Sequence, residues 1–332
     1  MFFIIIFIEI YAQIFRPSVN INDEKLGWKL KKNFTFTFKE KDFYDESYEV
    51  IFKTDSNGLR PFGNLSKNSK KILILGDSFS NDPYSSNEKM WYAILANQLE
   101  KNSTFKFGGW SGGAGGYGTL QQLLFLDEIM KKIKPDIFIL QFCSNDFMNN
   151  HQNLELKKGA IGQYSRRPYI DQKNLNVINF NNGFLHKILR TNYFGDSKVL
   201  NKIIFLYSNF KYNKIGTKID KNTKKFEDQS IIITEKILEK IGKKLEYLKP
   251  IMVNCSSKKI GPNQYWEEIG LKAGFVVISD PSDKIELISK NEKIYFRDGG
   301  HFNTLGNKIY GQALADAIIN NYSYLFKIDP SN

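Results

Sequence analysis

From residue 70 onward, short apolar runs alternate with stretches of helical spacing. "KKILILGDSFS" carries an unbroken apolar run, Ile72 to Leu75, ending in a glycine turn, the pattern of a strand buried on both faces. "EKMWYAILANQLEK" follows with helical spacing, and "STFKFGG" is a second strand candidate running into a glycine-rich stretch. "TLQQLLFLDEIMKKI" places apolar residues at 120, 123, 124, 126, 129, 130 and 133, one face of a helix. "PDIFILQFCSND" is a third buried strand with polar residues at its end. Strand–helix–strand–helix–strand predicts a mainly parallel sheet covered on both faces, a three-layer α/β/α sandwich of flavodoxin-like type.

Between about 150 and 230 the periodicity gives way to Asn, Lys and Tyr with short apolar pieces. An insertion this long predicts a lid or a substrate-facing surface. Regularity returns with "SIIITEKILEKIGKKLEYL" (helix), "PIMVNCSS" (strand), "NQYWEEIGLKAG" (helix) and "FVVISD" (strand). The chain closes on "FRDGGHFNTLGNKIYGQALADAIINNY", a loop and a last helix with Asn303 placed to cap it. Upstream, "FTFTFKE" and "YEVIFKT" alternate apolar and polar residues, as antiparallel strands do, and "DSNGLRPFGN" is turn chemistry. The expected organisation is therefore an apolar, anchor-like segment over 1–18, a small N-terminal β arm over 19–69, and a main domain over 70–326. Arg60 is expected to fix the arm to the core.

Composition is that of a folded protein: 42% hydrophobic and 14% aromatic in 332 residues. The net charge of +12 favours anionic partners. Its lysines, however, are scattered among Asn and Ile, and no nucleic-acid motif accompanies them, so no nucleic-acid partner is expected. Two cysteines, Cys143 and Cys255, cannot build a disulfide framework or a zinc site. Two buried thiols are expected, with a single bridge as the alternative. "MFFIIIFIEIYAQIFRPS" is apolar but short of a full membrane span and is interrupted by Glu9. It reads as a membrane anchor or, alternatively, a buried edge segment. The basic residues that follow it, taken by the positive-inside rule, would leave the remainder cytoplasmic.

The glycine run carries two overlapping signatures. Gly109-Trp110-Ser111-Gly112-Gly113 spells G-x-S-x-G, and Gly113 to Gly118 spells G-x-G-x-x-G. A nucleophile-elbow serine is followed directly by its helix, whereas seven more residues separate Ser111 from "TLQQLL". The dinucleotide alternative has an acid, Asp146, near the required place, but leaves other polar strand ends without a role. Those ends are Asp77-Ser78 after the first strand, Ser144-Asn145-Asp146 after the third, and Asp298-Gly299-Gly300-His301 in the last loop. Ester cleavage needs a nucleophile, a base, a group to orient the base, and donors for the oxyanion. Ser78, His301 and Asp298 can supply the first three. The Ser78 N–H, a glycine N–H from the run and the Asn145 amide can supply the donors. The run itself is expected to be flexible backbone that brings one amide to the oxyanion.

"GDSF", the glycine-run turn, "SND" and "DGGH" occur in the order of the blocks of the SGNH (GDSL-type) hydrolase family, which the chain resembles over roughly 57–150 and 231–322. "NGLR", "GGYGTLQQL" and "KPDIFILQF" resemble its bacterial membrane-anchored branch. The resemblance implies Ser78 as nucleophile, Gly116 and Asn145 as oxyanion-hole donors beside the Ser78 N–H, and the Asp298–His301 pair completing a triad. It implies no cofactor and no metal, and a membrane-anchored protein with its catalytic domain periplasmic or extracellular. The implied function is a serine esterase cleaving acyl esters, acetyl foremost, on a carbohydrate or lipid substrate through an acyl-enzyme. The alternatives are an O-acyltransferase of cell-envelope glycans and a non-catalytic carbohydrate-binding protein. Two positions depart from the family pattern. Cys143 stands where a glycine is usual, which is expected to alter the packing behind the oxyanion hole, and Ser111 stands where block two often opens with asparagine.

Other polar residues carry plainer expectations. Asp77 is expected to form the turn, Asp146 to be structural, and His151 and His186 to be structural or solvated. "YSRRPY" (164–169) is expected to be a solvated loop, with contact to a sugar or an anionic group as the alternative.

Overall fold

The computed structural model describes residues 7–11, 17–41, 46–157, 166–171, 176–179, 197–200, 202–203, 206, 222–256, 260–297 and 299–326. Asp298, His186 and most of 150–230 lie outside the described residues.

Two hairpins open the chain. β1 (Asn20–Asp23) pairs antiparallel with β2 (Gly27–Leu30), and β3 (Thr35–Lys41) with β4 (Ser47–Lys53). A six-stranded sheet follows, built from β5 (Arg60–Gly63), β6 (Lys70–Gly76), β7 (Phe107–Gly113) and β8 (Ile137–Phe142). Beyond a small hairpin of β9 (Pro168–Ile170) and β10 (Val177–Asn179), it is completed by β11 (Ile251–Asn254) and β12 (Val276–Ile278). The sheet order is β12-β11-β8-β6-β7-β5, parallel throughout except for the antiparallel edge strand β5.

Period-2 alternation sorts the strand residues onto two cores. Leu73 and Leu75 of β6 and Phe138 and Leu140 of β8 face one core. That layer is covered by α2 (Thr119–Ile129), α5 (Thr223–Leu245) and α6 (Trp266–Lys272). Ile72 and Ile74, with Ile137 and Ile139, face the other core, covered by α1 (Trp91–Lys101), α7 (Asp280–Ile288) and α8 (Thr304–Asn321). Two short helices, α3 (Asn145–Asn149) and α4 (Gln152–Lys157), lead away from β8. The chain leaves the central strand β6 first toward β7 and then, after α2, returns to β6's other side as β8. The order therefore reverses at β6/β8, where parallel sheets open a crevice at the carboxyl ends of their strands.

Three expectations need correction. The strand expected in "STFKFGG" does not end where the glycine run begins: β7 runs from Phe107 on to Gly113, wedged between β5 and β6, so the first half of the run is strand and not flexible backbone. Glycine is required there by close approach, since a Cβ on Gly109 would lie 1.8 Å from the Ile72 carbonyl oxygen. Cys143 and Cys255 are not thiols; they are joined as a disulfide, with Cα atoms 5.2 Å apart, linking the ends of β8 and β11. Arg166 and Arg167 of "YSRRPY" are buried, not solvated.

Arg60 ties the arm to the core as expected. It is fully buried, donating to Asn87 Oδ1 (3.0 Å) and the carbonyls of Asp82 (2.7 Å) and Ser85 (2.6 Å) while stacking over Phe52 of β4. Asn303 caps α8, accepting the Gly306 N–H at 2.9 Å. Among the described residues no helix is long and apolar enough to cross a membrane.

Candidate active site

Ser78 sits in the turn just past the end of β6. Asp77, wholly buried, accepts the Phe79 N–H on Oδ1 at 3.0 Å, an Asx turn that folds the chain over immediately after the strand. The Asn81 N–H closes the turn on the Ser78 carbonyl. Beyond it, Asn81 is bonded to Gly113 and Ser80 to Gln141, so the loop is pinned to β7 and β8 while Ser78 stays part-exposed at its apex.

Asn145, the first residue of α3 just past β8, meets Asp77, the neighbour of Ser78 in sequence. Its Nδ2 donates to Asp77 Oδ2 at 3.0 Å. A side-chain amide has two N–H donors, so this bond uses one and orients the other. Asp146 fixes the turn beneath it, accepting the Cys143 N–H (2.8 Å), the Thr119 hydroxyl (3.0 Å) and the Gln122 amide (3.3 Å). Asp77 thus does more than form a turn. It also holds Asn145, a contact that no sequence pattern signals. Cys143 Sγ lies 3.5 Å from Asp77 Oδ1, so the disulfide forms the floor behind this pair.

Gly115 and Gly116 reach the same place from β7. A Cβ on Gly115 would stand 3.8 Å from the Ser78 Cβ. Gly116 has φ +76°, a left-handed conformation that glycine adopts without a Cβ clash. Ser111, by contrast, is buried within β7 and donates to the Ser80 carbonyl at 2.9 Å; it is a strand residue holding the Ser78 loop.

His301 arrives from the last loop. That loop is closed by the Phe296 N–H on the His301 carbonyl (2.9 Å) and a bridge between Tyr295 and Phe302. Its imidazole lies 5.5 Å from the Phe79 ring and 6.5 Å from the Tyr84 ring, between centroids. Four of the five expected site residues, Ser78, Gly116, Asn145 and His301, therefore gather at the carboxyl end of the sheet, beside the β6/β8 reversal. The fifth, Asp298, lies outside the described residues. His151 is apart from them, buried against Phe226 with Nε2 3.2 Å from Gln229 Oε1, and burial lowers its pKa.

Burial dominates the electrostatics. It raises the Asp77 carboxyl above the ordinary range, opposed by the Phe79 N–H, the Asn145 amide and His301. Asp82 is raised by the same cause and opposed by the Tyr84 N–H, the Ser85 hydroxyl, His301 and Arg60. Asp146 is raised well above its usual value by burial and by the nearby Asp77 carboxylate. Among the described residues no three His, Cys, Asp or Glu side chains gather as a metal site.

Two concavities flank this cluster. One, of about 900 Å³, lies between the arm and the last loop, with Phe36, Phe38, Tyr84 and Phe296 as its aromatic walls and Lys39, Glu40, Lys41 and Arg297 among its lining. The other, of about 400 Å³, adjoins Ser144 and is walled by Phe147, Met148, Leu154 and Pro262, with Thr223 and Glu227 of α5 at its edge.

The sheet order and the helices on both of its faces define a doubly wound α/β sandwich, with the polar cluster at its strand ends. The family model described as GDSL-like Lipase/Acylhydrolase matches residues 72–314, and the chain belongs to that family. No curated protein matches it in sequence. Among solved structures, it is similar to a lipase/acylhydrolase from Enterococcus faecalis at 12% identity and TM-score 0.44, covering 79% of this chain and 99% of that one. It is also similar to the psychrotrophic esterase EstA from Pseudoalteromonas sp. (12%, TM-score 0.43, 75% and 97%). A third is Axe2, an acetylxylan esterase from Geobacillus stearothermophilus (11%, TM-score 0.39, 76% and 96%). Family membership makes the protein an ester-cleaving hydrolase acting on an acylated substrate.

Proposed function

We propose that this chain is a serine esterase working through an acyl-enzyme, with Ser78 as nucleophile. Ser78 Oγ attacks the ester carbonyl while His301 takes its proton. Asp298 orients His301 and stabilises the imidazolium that forms. The tetrahedral oxyanion faces the Ser78 and Gly116 N–H groups and the second N–H of the Asn145 amide. His301 then gives its proton to the leaving alcohol, and water, deprotonated by the same imidazole, releases the acyl group. The mainly apolar pocket beside Ser144 offers room for the acyl group, acetyl or a longer chain. The larger aromatic groove beside His301 suits the carbohydrate or lipid body of the alcohol.

The observation that carries this reading is the bond from Asn145 Nδ2 to Asp77 Oδ2, which fixes an amide donor beside the serine on a tight turn. A fluorophosphonate probe followed by mapping of the modified residue tests it. Modification at Ser78, and loss of turnover by more than about 10⁴-fold in Ser78→Ala, are expected. Modification at Ser111, or an active Ser78→Ala protein, would overturn it.

A further inference from the structure

The turn after β7 runs from Ala114 to Tyr117 and is closed by the Tyr117 N–H on the Ala114 carbonyl at 3.0 Å. Gly116 has φ +76° and Gly115 is not among the positive-φ residues, which makes this a type II turn. Types I and II differ by a flip of the central peptide, here the unit that joins the Gly115 carbonyl to the Gly116 N–H. That unit is trans and planar, so carbonyl and N–H point in opposite directions. A flip would exchange a donor for an acceptor at any atom facing it. With glycine at both central positions, side-chain sterics do little to resist the exchange.

The partner of that carbonyl comes from the N-terminal arm. Trp28 of β2, 87 residues away in sequence and 2% exposed, donates its indole N–H to the Gly115 carbonyl at 3.1 Å. Tyr117 holds Trp28 in return, its hydroxyl donating to the Trp28 carbonyl at 2.5 Å and its ring packing edge-on against the indole. Arg167 stacks its guanidinium over the indole at 5.1 Å and donates Nη2 to the next carbonyl, that of Gly116, at 2.5 Å. Arg167 is in turn fixed by Glu155 at 2.8 Å.

We propose that Trp28 is a positioning residue, which holds the Gly115–Gly116 peptide with its N–H turned away from the arm and toward the oxyanion. The arm, supported by Arg167 from the insertion, thus completes the oxyanion site. The inference rests on Ser78 being the nucleophile.

The test replaces the donor without the shape: Trp28→β-(3-benzothienyl)alanine, introduced by codon suppression, keeps the ring outline and lacks the N–H. Trp28→Phe is made alongside it. Outright removal of an oxyanion donor costs on the order of 10²–10³ in rate, and a donor that is only loosened should cost less. We expect kcat for an aryl acetate to fall about tenfold in the benzothienyl variant, with KM changed by less than about twofold. The rate of fluorophosphonate labelling at Ser78 should fall in step, while circular dichroism and the thermal midpoint report an intact fold. Trp28→Phe should lose at least as much, and suppression with tryptophan itself should restore the parent rate. A folded benzothienyl variant with parental kcat and labelling rate would overturn the positioning role and leave the esterase reading standing. Full activity in Ser78→Ala would remove both together.

Discussion

Asn145 Nδ2 and Asp77 Oδ2 stand 3.0 Å apart, joining the ends of β8 and β6 through one hydrogen bond. An acid adjacent in sequence to the candidate nucleophile thereby sets the direction of a candidate oxyanion donor. Asp77→Asn keeps the shape and an oxygen for the Phe79 N–H, but turns an NH2 group toward the Asn145 donor. We expect kcat to fall about tenfold or more in Asp77→Asn, and about 10²–10³-fold in Asn145→Ala. Because both changes act through one amide, the double variant should be no slower than Asn145→Ala alone. Steady-state rates on an aryl acetate decide it, and multiplicative losses would show that Asp77 acts by another route.

The disulfide closes 112 residues of sequence and ties β8 to β11 behind that same pair. In the chain-entropy account, closing a loop of about 100 residues contributes about 4.7 kcal/mol. Reduction should therefore lower the thermal midpoint by on the order of 10 °C. Calorimetry with and without a phosphine reductant measures this. Cys143→Ala/Cys255→Ala should show the lowered midpoint in both conditions. A reductant-insensitive parent would mean that the bond contributes nothing to stability.

What could be read from residue order, and what could not, divides along local and non-local lines. Ile72–Leu75, "IFILQF" and "IMVN" are apolar runs whose burial is independent of their partners, so they announce β6, β8 and β11. Asn303 caps α8 through its own next turn, a contact three residues long. By contrast, Trp110–Gly113 continue the strand because β5 and β6 pair with them on either side, and nothing within their own window says so. Left to local pattern, a glycine-rich stretch reads as loop. Arg167 illustrates the same limit. In "YSRRPY" it has the composition of a solvated loop, yet Glu155, Gln121 and Gly116 satisfy its guanidinium inside the protein. Ser78, the glycine run and Asn145 are legible as neighbours because a parallel sheet sends its strand ends to one side, whereas Gly116 within the run and His301, in the loop between α7 and α8, rest on the order of the family's blocks.

Asp146 predicts a pH dependence. Its pKa in the folded protein is raised well above the ordinary 3.8, burial being the first cause and the Asp77 charge the second. The folded state then keeps a proton that the unfolded chain has released, so stability falls as pH rises from about 3.8 to the folded value. Asp146→Asn removes this titration. Relative to that variant, the parent should gain stability as pH is lowered from about 7 toward 5, as urea midpoints at both pH values would record. Because the Asp77 charge contributes to the Asp146 shift, Asp146→Asn also changes the surroundings of Asp77, and the difference reports both carboxyls. A parent that loses ground to the variant on acidification would show that the carboxylate, not the acid, is favoured by the fold.

The aromatic groove supplies the last prediction. Phe36 and Phe38 project from the same face of β3 with ring centroids 5.3 Å apart, opposite Tyr84 and Phe296, which themselves pack at 5.6 Å. Tyr84 adjoins His301 and its carbonyl is held by the Tyr48 hydroxyl of β4, so groove and site share a wall. If the body of the substrate lies there, its contacts are remote from the reacting carbonyl and form before the transition state. Uniform binding of that kind sets KM and leaves kcat alone. Losing a part-buried phenyl contact costs about 1 kcal/mol, so Phe38→Ala should raise KM about fivefold for large esters and leave a small aryl acetate unaffected. Two ester series, one growing in the alcohol and one in the acyl chain, make the measurement. We expect the alcohol series to respond. A response confined to the acyl series would reverse the two pockets, and unchanged KM in both would take the groove out of substrate binding altogether.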